Sequence, residues 1–271
     1  GIANTFLADQ GSTLRGRATV DMTVRGTTAA PAASGTIRVA GGSYTDSVNG
    51  LTLTNIQAVL TGSNSSIVVS QLTAATPRGG SVTGSGSIGL DPARGFPADI
   101  RLTFNRANIL SSDLINLVTS GQLAVEGPVA TRPRITGKLD VLRLDINIAD
   151  KLPGGFDPLQ VRHINTGGKT SPSQQGLRAQ AKQRAAATSR REAQPPAFAA
   201  DLDLTITARN AVFVRGMGID AEFGGDLTLR GTTANMVTLG GFELRRGRFD
   251  LLGRRLDFTE GQVTFEGNTD P

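Results

Sequence analysis

Cysteine and tryptophan are absent from this 271-residue chain, histidine and tyrosine occur once each, and aromatic residues make up only 4% of it. Without cysteine there are no disulfide staples and no thiolate metal sites. The sole imidazole, His163, has no second histidine to share a metal and lies beside a low-complexity stretch, so it reads as a solvated loop residue. A chain so short of nucleophiles, bases and metal ligands is not expected to be an enzyme, and neither a metal nor another cofactor is expected. No run of about 18 apolar residues is present to form a membrane-spanning helix. The opening residues GIANTFLADQGS lack the basic and apolar regions of a signal peptide, which suggests a segment of a longer polypeptide.

Acidic character is also scarce, but only locally. The sequence pI is about 10.4 and the net charge +5. Between Asn165 and Ala197, six cations (Lys169, Arg178, Lys182, Arg184, Arg190 and Arg191) stand against Glu192 alone, so this one segment carries a charge of +5 and the remainder is neutral. A basic groove through the folded part is not supported, and no nucleic-acid partner is expected. The same stretch is rich in Gly, Ser, Gln and Ala, with little to pack. The chain therefore divides into a first β segment over 1–165, a basic low-complexity insertion or linker over 166–197, and a second β segment over 198–271. The insertion reads as a solubilising linker; contact with anionic lipid headgroups is the alternative.

What the chain does have is a duplicated block. VRGTTAAPAASGTIRVAGGSY, Val24 to Tyr44, recurs as LRGTTANMVTLGGFELRRGRF, Leu229 to Phe249, with each residue displaced by 205. Gly26, Gly35 and Gly42 match Gly231, Gly240 and Gly247, and an aromatic follows the last by two positions in both copies. The match runs on: Leu51-Thr52-Leu53 falls where Leu256-Asp257-Phe258 falls, and Gly62 where Gly267 falls. A weaker third copy starts at Glu126-Gly127, with Gly137 ten residues on. Glycines at fixed spacing around alternating stretches suit stacked strand units.

Period-two alternation dominates on both sides of the insertion, which makes the chain all-β. Val20, Met22 and Val24 alternate with Thr19, Asp21 and Thr23; Ile37 and Val39 flank Arg38, Leu51 and Leu53 flank Thr52, and Ile100, Leu102 and Phe104 flank Arg101 and Thr103. In the second segment the apolar set is Leu202, Leu204, Ile206, Leu227, Leu229, Phe249, Leu251, Leu256, Phe258, Val263 and Phe265. The apolar parity slips between Leu53 and Ile56 and between Val141 and Leu144, as it does at bulges. Roughly sixteen to twenty short strands, stacked at about 4.8 Å, would make a sheet near 90 Å long. A sandwich or β-helix would seal the apolar face with its own side chains; a curled trough would leave it open to a guest.

Other patterns read as ordinary structure. Gly84-Ser85-Gly86-Ser87-Ile88-Gly89 satisfies the dinucleotide-binding spacing, but Leu90-Asp91-Pro92 follows where a helix N-terminus is needed, so it is a glycine-bearing strand or turn. Asp201 and Asp203 share a strand face, as solvent-facing acids do. Ser111 to Val118 is the one helix candidate and could equally be a loop.

The passage ARNAVFVRGMGIDAEFGGDLTLRGTTANMVTLGGFELRRGRFDLLGRRLDFTEGQVTFEGN, Ala208 to Asn268, resembles the C-terminal region of the TamB family, part of the bacterial translocation and assembly module. LTLTNIQAVLTGS and ATPRGGSVTGSGSIGLDPARGFPADIRLTF are similar to its preceding repeats. Two departures stand out: the basic insertion is outside the pattern, and the chain stops at Asn268-Thr269-Asp270-Pro271, before the strands expected to dock on the outer-membrane barrel subunit TamA. The resemblance implies an elongated curled sheet, a β-taco or open β-solenoid trough with an apolar concave face, in the periplasm of a Gram-negative bacterium. It further implies an inner-membrane anchor in the full-length protein, phospholipid acyl chains as cargo moving between the two membranes, and support of outer-membrane protein assembly. The apolar residues named above, Val20 through Phe265, would then line the lipid groove. A chaperone that pairs with nascent outer-membrane strands and a sealed structural solenoid are the alternatives.

Overall fold

The computed structural model describes residues 11–47, 50–148, 199–251 and 254–267; the basic insertion and His163 lie outside them. The described residues contain thirteen strands in one sheet: β1 (Ser12–Gly26), β2 (Pro31–Asp46), β3 (Leu51–Asn64), β4 (Ser66–Ala75), β5 (Ser81–Gly89), β6 (Pro97–Ser111), β7 (Ile115–Pro128), β8 (Arg134–Asn147), β9 (Asp201–Gly216), β10 (Ile219–Thr232), β11 (Met236–Leu251), β12 (Arg254–Asp257) and β13 (Gln262–Glu266). The sheet is open and curled. Strand order follows chain order from β1 to β12, and β13 joins β12 in pairing with β11. The strands are fewer and longer than the expected short units, because bulges let a strand bend without ending: β2, β9 and β11 reach 16 residues.

Antiparallel pairing holds from β1 to β8 and again from β9 onward. Between them β8 and β9 pair in parallel, with Leu139 opposite Ile206 and Arg134 opposite Asp201, so the sheet continues across the insertion. Ser111 to Val118 forms no helix. Ser112 turns the chain between β6 and β7: its N–H donates to the Ile115 carbonyl at 2.8 Å, and its hydroxyl accepts from the Ile115 N–H at 3.0 Å. The glycine pattern at 84–89 is strand β5.

Both parity slips are bulges. Asn55 takes φ 49° where the β3 register shifts against β4, and Leu142 is the extra residue where Thr119 pairs with Val141 but Val118 with Arg143. Other bulges lay hidden in the sequence, two of them in β4 and β11. The pairs Val69↔Gly86 and Leu72↔Gly84 put one extra residue in β4, and the neighbouring pairs Glu222↔Arg246 and Phe223↔Leu244 put one in β11.

The duplicated blocks are the same hairpin. Val24 pairs with Ala33 as Leu229 pairs with Thr238, and Leu14 with Tyr44 as Ile219 with Phe249. Beyond that point the copies part. Tyr44 pairs with Leu53, but Phe249 pairs with Leu256, which is Leu51's counterpart, and the displacement persists in Gly35↔Gly62 against Gly240↔Phe265. In the first copy the next strand is continuous through its Asn55 bulge; in the second it splits into β12 and β13. The third copy shares only its first glycine: Gly127 has φ 88°, beside 92° at Gly26 and 96° at Gly231, whereas Gly137 lacks the positive φ of Gly35 and Gly240.

Candidate functional site: an apolar face running across the sheet

Residues opposite one another on neighbouring strands project from the same face, so the register defines the two surfaces. One row reads Val20, Ile37, Leu60, Val69, Gly86, Ile100, Val125, Ile135, Leu202. Next to it, Leu102, Leu123, Gly137, Leu204 and Leu229 follow one another, and then Phe104, Gly121, Leu139, Ile206, Leu227, Gly240 and Phe265. An unbroken apolar band thus crosses from β1 to β13.

The structure brings nearly all the residues singled out in the sequence onto this face. Met22 lies opposite Gly35, and Val24 opposite Ala33. Val39 lies opposite Ala58, and Val263 opposite Phe242. Leu51 and Leu53 return to the face through the Asn55 bulge, which offsets the parity change in β2. Phe249 and Leu256 face each other, and Phe258 covers Gly247, where a Cβ would stand 2.7 Å from its ring. Leu251 closes β11; its side chain is outside the described ones. Sequence reasoning did not assign Leu60, Val69, Leu72, Leu123 or Val125 to this face. The signal was there in alternation, but the bulge in β4 places Val69 and Leu72, three residues apart, on one side.

Burial separates this face from a sealed core. Apart from Pro133 in the turn before β8, the buried apolar side chains among the described residues are alanine or valine, such as Ala33, Ala58, Val82, Ala98 and Ala221. The larger side chains keep access to solvent: Val20 is 62% exposed, Val24 66%, Leu256 53% and Phe258 39%. Small residues pack the floor and large ones stand above it without interlocking with a second layer.

The opposite face is mainly polar, although Val68, Val237 and Leu239 are exposed on it, and over β8 to β12 its charges interlock. Arg132 pairs with Asp201 at 2.6 Å and Arg134 with Asp203 at 3.3 Å across the parallel junction, while Arg230 reaches Asp203 at 3.5 Å. Asp201 and Asp203 are therefore each matched by arginine. Toward the other strand ends Arg143 and Arg215 both bind Asp145, at 2.6 and 3.2 Å, and both guanidinium carbons lie 5.2 Å from the Phe213 ring centroid. Arg215 continues to Asp220, which also takes Arg248. The Arg143 hydrogen bond chiefly holds the Asp145 carboxyl below its ordinary range, with help from Asn116; burial opposes this. A buried polar group of Thr76, Asn108 and Thr119 lies near the ends of β4, β6 and β7, with the Asn108 N–H donating to Thr76 Oγ1 at 3.1 Å. Nothing in local sequence marked these partners, since they meet only through register. Among the described residues no group of three or more His, Asp or Glu could hold a metal, and no helix is long and apolar enough to cross a membrane.

A single curled sheet with one open apolar face and one charged face defines an open β-trough protein. Within that class the match is specific: the model of the TamB C-terminal domain covers residues 70–271, and the chain belongs to the TamB family of envelope-associated proteins. No curated protein and no solved structure matches the chain significantly.

Proposed function

We propose that the apolar face is a conduit for phospholipid acyl chains in the periplasm, part of a longer inner-membrane-anchored protein that works with TamA and supports outer-membrane protein assembly. The reading contains no chemical step. Its support is that the large apolar side chains stay solvent-accessible in a continuous band from β1 to β13, with no leucine, isoleucine, methionine or phenylalanine fully buried among the described residues. Moving a sixteen-carbon tail into water costs on the order of 12 kcal/mol at about 0.8 kcal/mol per methylene. A continuous apolar strip offsets most of that along the whole path. Because neighbouring rows repeat similar side chains, no deep trap holds the tail, and the headgroup stays wet at the open side.

Photocrosslinking residues at Leu102 and at its neighbour Thr103, which face opposite sides, test this in cells. Lipid adducts at 102 and none at 103 support the conduit. Polypeptide adducts at 102 would instead favour the chaperone reading, and no adduct at either site would count against both.

A further inference from the structure

A cavity of about 700 Å³ lies on the polar side of the sheet, not the apolar one. Its floor is the backbone of a single row, Gly84, Leu102, Leu123 and Gly137, with the two leucine side chains on the other face. One wall is Thr83, Thr103, Gln122 and Lys138, in direct register on β5 to β8; Ser85, Arg101 and Thr136 belong to the other. The groove thus runs across the strands, with a hydroxyl, amide or ammonium about every 4.8 Å along the first wall.

Three features define what fits. Neither Asp99 nor Asp140 is among the lining residues, and no other carboxylate is. Among the described residues Arg101 pairs only with Asp99, at 3.6 Å with both side chains well exposed, in contrast to the 2.6 Å pairs made by Arg132, Arg143 and Arg246. Lys138 lies in the wall with no carboxylate within ion-pair distance among the described residues, leaving its three donors for a ligand. An added peptide strand is excluded, because β5 to β8 are each hydrogen-bonded on both sides and offer no free edge. Side chains that both donate and accept, repeated along a line, match a partner whose hydroxyls do the same.

We infer that this groove binds a linear acidic polysaccharide, with sugar hydroxyls on the Thr83–Thr103–Gln122 ladder and carboxylates on Lys138 and Arg101. The site is on the face opposite the proposed lipid path, so the two readings stand or fall separately. Titration calorimetry of the whole chain with oligogalacturonate, a maltodextrin of equal length and oligoglutamate tests it. Saturable binding of oligogalacturonate is expected. It should weaken about tenfold or more on combining Lys138→Glu with Arg101→Glu, and change about twofold at most for Arg38→Glu, an exposed cation of the same face outside the groove. Thr103→Val, which removes a hydroxyl and keeps the shape, should weaken oligogalacturonate alone. No saturable binding, equal affinity for oligoglutamate or maltodextrin, or an equal loss in Arg38→Glu overturns the assignment. Circular dichroism identifies any variant that has lost its sheet, and Lys138→Gln then replaces it.

Discussion

Gly35 and Gly240, 205 residues apart, occupy the same place in two copies of one hairpin and take nearly the same backbone angle, φ 118° and 116°. A Cβ at Gly35 would strike the carbonyl oxygen of Asp21, and one at Gly240 that of Asp226. Side chains rarely adopt this φ, and backbone cannot give way as a flexible side chain can. Gly35→Ala and Gly240→Ala should therefore each destabilise the sheet by about 1–3 kcal/mol, read from urea unfolding midpoints. Gly127→Ala, at φ 88° with nothing near its Cβ position, should cost less.

The Asp145 carboxyl is held below its ordinary value, so its contribution to stability is fully present above the unfolded-state value near 4 and is lost as pH falls through the lower folded value. Wild-type unfolding midpoints should fall as pH drops below about 5. Asp145→Asn should flatten that fall. An unchanged slope in the variant would show that Arg143, Arg215 and Asn116 do not hold the charged form.

Asp203 also meets two arginines, Arg134 and Arg230, but at 3.3 and 3.5 Å, and all three side chains are well exposed. Exposed pairs contribute about 0–1 kcal/mol. Asp203→Ala should accordingly leave stability within about 1 kcal/mol of wild type, with a larger loss for Asp145→Ala, whose side chain is 13% exposed. Denaturant titrations of the two variants side by side make the comparison.

Leu229 sits in mid-face with Leu204 on one side and Thr238 on the other. Leu229→Arg places a hydrated cation in the band without touching the polar face. Lipid transfer between donor and acceptor vesicles by the protein carrying this change should fall at least about tenfold, since burying or skirting the charge costs several kcal/mol. Wild-type transfer would count against the conduit.

Much of this was legible in the chain because strand alternation is a local property. Val20, Met22 and Val24 announce their shared face by spacing alone, and so do Leu202, Leu204 and Ile206. The slips at Leu53–Ile56 and Val141–Leu144 were visible because both apolar neighbours break step together. The bulge in β4 was not, since Ser70 and Gln71 are polar and leave no apolar mark. The two-residue displacement after Phe249 was equally hidden: residue identities repeat there, but hydrogen-bond partners do not.

The sequence by itself determined an all-β chain with one apolar and one polar side, built around a repeated hairpin, because side-chain direction in a strand follows from position alone. Only the tertiary structure decided which strands are neighbours, that β8 and β9 run parallel across the insertion, and that Arg143 and Arg215 converge on Asp145. It also left the large apolar residues uncovered and put a cavity of about 700 Å³ on the polar side. Those outcomes depend on register between segments up to 70 residues apart, which no local pattern encodes.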